Sequence, residues 1–337
     1  HLFSSAASDV YKRQSQDEPG FTVWYSMTSI LDICPLRLTV QLRKMAGCSL
    51  VLLIVLPFLA SPVVGEWSED TWLANIIGPE RLENGDEFGC HGYEGISISE
   101  NYWVIEGCKE YLMDSTNASR WGKTPISFGI PGPKIDQLTA SQLISSGFMI
   151  VGDVLDGAPE GMISAHRNGG SLEKGVADTA LFESVDENSL LSIYWRARID
   201  DLRVREDKDA ISWLEKQDLW YTTWGEWNMH KSSSKNTSLS IIGSEIHSFS
   251  ENSDGAWSVP GTSLIQFDTD VSGVFDSNGD PYPVIPVESK KLQIGWRNVA
   301  GGILLTQHPG TNIIVQLSET PESASIEPAI TFNGHRN

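Results

Sequence analysis

Positive charge is scarce in this chain. Lysine and arginine number 24 against 44 aspartates and glutamates, a net charge of −20. A polyanion would be repelled by such a surface, which argues against nucleic acid, or an anionic membrane face, as the partner. Long hydrophobic runs are also missing. The longest, Leu50–Ala60, falls short of the roughly 18 residues that a membrane span requires, so no span is expected. Cysteine is limited to four residues, too few for a disulfide scaffold and enough for one or two bridges. What is plentiful is tryptophan, with twelve residues, in a composition that is 40% hydrophobic and 20% charged. That balance belongs to a folded chain rather than a disordered one, and 337 residues allow about two domains.

Residues 1–14, HLFSSAASDVYKRQ, resemble translated sequencing-adapter sequence and carry no fold signal. The run Leu50–Ala60 has two readings. One is a signal peptide starting at Met45, although Met45-Ala46-Gly47-Cys48 has no positive charge. The other, which we prefer, is a buried parallel strand, since strands covered on both faces are continuously apolar.

From residue 20 to about 235, strand-like and helix-like segments alternate. EFGCHG, PISFGI, FMIVGD and LLSIYWRARID read as strands, as does LWYTTWGEW, the last of the series. WVIEGCKEYLMDS, TASQLISSG and DKDAISWLEKQ read as helices, the second opened by Thr139 and closed by Gly147. Such alternation implies a parallel sheet covered by helices, either a barrel or a large doubly wound sheet. Lys231–Ser240, KSSSKNTSLS, is polar and aperiodic and reads as a linker. Beyond it, SLIQFDTD, KKLQIGWRNV, GGILLTQH and TNIIVQLSE are strands separated by turns, the pattern of a β-sandwich.

Three features then fall in order. Asp32 ends the first strand in SILDICP, His91 follows a helix in ENGDEFGCHGYEG, and PISFGIPGPKIDQLTASQLISSGFMIVGD runs from strand through a proline loop and helix to strand. This order resembles the polysaccharide deacetylase superfamily of carbohydrate esterases. The resemblance covers roughly residues 21–230 and implies an α/β fold with a distorted (β/α) barrel, so that the barrel takes residues 15–230, ahead of the linker 231–240 and the all-β sandwich-like domain over 241–337. It also implies a divalent metal, usually zinc, that activates water against acetyl groups on sugar polymers. Carried onto this chain, Asp32 and His91 are metal ligands, and Asp32 belongs to the catalytic centre. The chain departs from the family pattern at several points. Leu31 replaces an acid beside Asp32, Gly95 stands where a second metal histidine is usual, and Gly129-Ile130-Pro131-Gly132 lacks an arginine. Glu94 is the neighbouring oxygen donor that could take the missing ligand's place. The implied metal site is therefore altered, and a non-catalytic sugar-binding protein or a structural surface protein stands beside the hydrolase reading.

Other residues are placed by the strand pattern. Asp153, Asp200 and Glu226 would lie at strand ends, and paired carboxylates at a barrel mouth can serve as acid and base. If LWYTTWGEW is a strand, Trp224 and Glu226 share one face, with Trp227 on the other and His230 three residues beyond. Trp224, Trp227 and His230 are then the expected sugar contacts, and Glu226 and Asp153 the further catalytic carboxylates. Asp276, Asn278 and Asp280 have the spacing of a calcium loop, but Pro281 stands where glycine is needed, so a plain Asn-Gly turn is expected. Cys90 and Cys108 could pair, which would point to an oxidising, extracytoplasmic compartment. Asn117-Ala118-Ser119 and Asn236-Thr237-Ser238 are glycosylation sequons, triplets that also arise by chance.

Overall fold

The computed structural model describes residues 82–91, 97–129, 135–152, 158–166, 190–192, 208–253 and 255–335. The run Leu50–Ala60 and the residues Asp32, Glu94, Asp153 and Asp200 lie outside them. Among the described residues the fold is mixed α/β, with one parallel sheet and two antiparallel sheets.

The parallel sheet has four short strands in chain order: β1 (Cys90–His91), β2 (Ser127–Gly129), β3 (Ile150–Gly152) and β4 (Ile163–Ala165). Helix α1 (Trp103–Ser115) connects β1 to β2, and α2 (Gln137–Ser145) connects β2 to β3. Parallel neighbours need such crossovers, because a tight turn can only reverse the chain. In α1 the buried residues Val104, Ile105, Cys108 and Leu112 recur at helical spacing and face the sheet. They join Phe88, Phe128, Leu143, Phe148 and Val151 in one apolar cluster. Helix α2 begins two residues before the expected Thr139. Asp136 is the cap, and its carboxylate accepts hydrogen bonds from the Thr139 amide at 2.8 Å and hydroxyl at 2.7 Å. Gly147, with φ of +88°, closes that segment as expected. Cys90 and Cys108 form a disulfide that joins β1 to α1.

Helix α3 (Lys208–Leu214) follows, and then α4 (Trp224–Lys235). The second of these corrects the sequence reading twice. Trp224–Trp227 is the first turn of a helix, not the end of a strand, and Lys231–Lys235 is its last turn, not a linker. The physical reason lies in the polar residues. Thr223 has extended backbone angles, and its side chain accepts from the Glu226 amide, an N-cap. The serines that suggested a linker bond inward: Ser233 donates to the Val259 carbonyl and Ser234 to the His230 carbonyl, both at 2.8 Å.

The remainder is antiparallel. One sheet has the order β12 (Ala324–Pro328), β7 (Gly261–Phe267), β10 (Gly302–Gln307), β9 (Gly295–Val299). The other has the order β5 (Thr237–Ile242), β6 (Glu245–Ser250), β11 (Asn312–Leu317), β8 (Val271–Asp276). Ile265, Ile303 and Leu305 from the first sheet meet Ile246, Ile313 and Val315 from the second in a shared core. After β8, the Asp276 carboxylate accepts from the Asn278 and Asp280 amides at 2.8 and 3.0 Å, and Gly279 has φ of +87°. This is the expected Asn-Gly turn.

Helix α4 fastens the antiparallel part to the parallel sheet. Its Trp224 and Met229 share a cluster with Ile126 and Ile150 on one side and Trp257, Val259, Ile285 and Phe332 on the other. Gly261 at the start of β7 lies so close to α4 that a Cβ there would penetrate the backbone of Ser233 and Ser234. Two backbones cannot yield as a flexible side chain can. Gly261→Ala is therefore expected to destabilise the fold by about 3 kcal/mol, read as a lowered urea midpoint. An unchanged midpoint would show that α4 is not seated on β7.

Candidate functional site

The C-terminal edge of the parallel sheet carries His91, expected from the sequence to be a metal ligand. His91 ends β1 and pairs in register with Gly129 at the end of β2, which pairs with Gly152 at the end of β3. Neighbouring strands lie about 4.8 Å apart, so these three positions form a short row. The two glycines make room for rings. A Cβ on Gly129 would lie 2.5 Å from Cδ2 of His91, and one on Gly152 would lie 2.6 Å from Cζ3 of Trp224. His91 is buried, and the disulfide at Cys90 fixes the backbone immediately before it.

Behind this row, the first turn of α4 is docked on buried carboxylates. The Gly225 amide donates to Glu87 at 2.7 Å, and the Ser127 hydroxyl donates to it at 2.6 Å. Burial raises the pKa of Glu87 above the ordinary carboxylate value. The Ser127 and Gly225 hydrogen bonds oppose that shift, and the nearby Glu226 adds to it. Oε2 of Glu226 accepts from Nη2 and Nε of Arg120 at 2.9 and 3.3 Å and from Nε1 of Trp121 at 2.5 Å. Its other oxygen, Oε1, is buried with no hydrogen-bond partner among the described residues. The Arg120 guanidinium also lies 4.5 Å from the centre of the Trp121 ring.

The helix separates residues that a strand would have grouped. Trp224 and Glu226, two apart on α4, do not share a face. Trp224 packs on Gly152 and donates from Nε1 to Ser192 Oγ at 2.8 Å, whereas Glu226 turns to Arg120 and Trp121. Trp227 is half-buried, with the Lys231 ammonium 3.9 Å from its ring centre. His230, expected from the sequence as a sugar contact, is fully buried. Its Nε2 bonds to Thr262 Oγ1 at 2.9 Å, Thr262 bonds on to Thr306, and the Trp220 ring stands edge-on at 4.6 Å. Burial pushes the His230 pKa down to about 3.

Among the described residues, no three His, Cys, Asp or Glu side chains converge. His91 supplies a single nitrogen donor, and Asp32 and Glu94, its expected partners, lie outside those residues. The described donors therefore do not by themselves make a zinc site. Glu87, Arg120, Trp121 and Ser127 were not expected from the sequence. The available signal was Thr223-Trp224-Gly225-Glu226, the Thr-x-x-Glu pattern of a helix start. No protein-family model matches the chain, and neither a curated protein nor a solved structure is significantly similar to it.

Two expectations follow from these polar groups. Arg120→Ala leaves the buried Glu226 without its cation and is expected to cost about 3 kcal/mol of stability. Adding Glu226→Gln removes that charge and should restore part of the loss. A double variant no more stable than Arg120→Ala would mean that the Arg120–Glu226 pair does not carry the effect. The second concerns pH. The unfolded chain protonates His230 near pH 6.5, whereas the folded chain resists protonation down to about 3. Stability from neutral His230 is thus complete above pH 6.5 and lost as pH falls toward 3, by on the order of 4 kcal/mol. Glu87, raised by its own burial, acts in the opposite direction, so the comparison is between proteins at each pH. Wild type should lose unfolding free energy more steeply than His230→Gln between pH 6.5 and 4. Equal slopes would show that His230 accepts a proton in the folded state.

Proposed function

We propose that the chain is a carbohydrate-active hydrolase of the polysaccharide-deacetylase kind, built on a (β/α) barrel and working outside the cytoplasm. One observation carries the reading: four parallel strands lie side by side in chain order, and the family-matched His91 ends the first of them. Chain-order neighbours joined by helices are what a (β/α) barrel repeats, and such barrels place their chemistry at the C-terminal ends of the strands. Gly129 and Gly152 leave room at the adjoining strand ends for the rings of His91 and Trp224, which places both rings at that edge. The net charge of −20 favours a neutral polymer such as an acetylated polysaccharide over a polyanion. The disulfide supports an oxidising compartment. A zinc ion would supply Lewis acidity and an activated water. Since the described donors do not complete its ligand set, no step is assigned to it, and the altered metal site remains part of the proposal, with Asp32, His91 and Glu94 as its donors.

A second reading, sugar binding without cleavage, has its own support. Glu87 and Glu226, buried acids at the first turn of α4, are both engaged in hydrogen bonds that hold the fold. The two readings separate in one assay. Purified full chain is incubated with acetylated xylo- and chito-oligosaccharides, with and without added zinc, and released acetate is measured alongside oligosaccharide binding. The hydrolase reading expects acetate release that His91→Ala abolishes and Gly129→Ala lowers at least tenfold, because the new methyl displaces the His91 ring. Binding without acetate would select the second reading, and neither binding nor release would overturn both.

A further inference from the structure

We propose that Asn117 and Asn236 carry N-linked oligosaccharides. They head the two sequons in the chain, Asn117-Ala118-Ser119 and Asn236-Thr237-Ser238, and proline occupies neither middle position. A sequon alone is weak, and the structure adds what sequence cannot. Both asparagines are exposed, and both stand just beyond a helix: Asn117 follows the last turn of α1, and Asn236 is the C-cap of α4. At Asn236 the backbone is fully used, since its amide donates to the Ser233 carbonyl at 3.2 Å and its carbonyl accepts from Glu251 at 2.9 Å. Its side-chain amide, like that of Asn117, makes no hydrogen bond to a described residue. A sugar on either asparagine side chain therefore breaks no side-chain hydrogen bond among the described residues. Asn333 shows the contrast. Its amide donates to the carbonyls of Pro286, Val287 and Ser289, it is buried, and no sequon follows it.

The compartment agrees with the chemistry. Cys90 and Cys108 are joined in a disulfide and buried, the state of a structural bridge formed where thiols are oxidised. The secretory lumen that favours such bridges also holds the glycosyl donor, an oligosaccharide attached to a lipid diphosphate. In the transfer, Nδ2 of the asparagine attacks the anomeric carbon. The new bond is N–C1, the C1–O bond to phosphate breaks, and the lipid diphosphate leaves with the electron pair. The amide proton passes to the base of the transferase. The inference shares with the proposed function only the extracytoplasmic location and needs no hydrolytic activity.

The test expresses the full chain behind a cleavable secretion leader in eukaryotic cells. The secreted protein is treated with peptide-N-glycosidase, which converts each occupied asparagine to aspartate. Peptide mass spectrometry should find that conversion at positions 117 and 236, and the intact protein should lose two glycan-sized steps in mass. Asn117→Gln and Asn236→Gln should each remove one step. Unconverted peptides at both positions would overturn the proposal, and a single unconverted peptide would strike out that asparagine. Because occupancy is read on the wild-type protein, the result stands even where a glutamine variant is not secreted.

Discussion

The docking of the first turn of α4 on the buried Glu87 carboxyl group is the constraint on which the described structure depends. A buried carboxyl group is costly unless hydrogen-bonded. Glu87 meets that demand with the Gly225 amide from the helix N-terminus and the Ser127 hydroxyl from β2. The helix gains in return, because its first amides have no partners within the helix and its N-terminal end favours negative charge. Thr223 and Glu87 between them satisfy two of those amides. The arrangement fixes α4 against the start of β2, and from there the helix sets the position of both neighbours. Trp224 lies across Gly152 of the parallel sheet, and Ser233 and Ser234 lie against Gly261 of β7.

This placement also sorts the acidic residues by role. The chain has an excess of carboxylates, yet Glu226 is neutralised at close range by Arg120 and takes a third hydrogen bond from Trp121. Such a group resists movement, since separating the pair would leave a charge in a poorly hydrated site. The sheet edge is different in character. It holds His91, two glycines and the ring of Trp224, packed closely and beside the disulfide. Rigid placement of that kind is what a site for chemistry or for sugar recognition requires.

Much of the element order could be read from the chain. Helix α1 spans the segment WVIEGCKEYLMDS because its apolar residues repeat at helical spacing, and the Asn-Gly turn after β8 follows from local side-chain chemistry. The pairing of Cys90 with Cys108 was open to view in the same way, as was His91 at a strand end. The misreading at Trp220–Trp227 has a definite cause. Trp220, Tyr221, Trp224 and Trp227 give that segment the aromatic content of a strand, while the capping threonine and the glutamate three residues on belong to a helix. A short segment gives periodicity too little length to prevail. Similarly, a serine-rich run resembles a linker until its hydroxyls find carbonyl partners at Val259 and His230.

Composition and spacing thus determined the mixed α/β character, with a parallel sheet ahead of the antiparallel end of the chain, because each follows from local patterning. The tertiary structure alone decided the fate of the polar residues. Glu226 meets Arg120 across 106 residues of chain, Glu87 meets Gly225 across 138, and His230 is enclosed by Trp220 and Thr262. Whether a carboxylate or an imidazole is a reactive group or a buried brace depends on which atoms surround it, and those neighbours are supplied by distant segments whose approach no local pattern encodes.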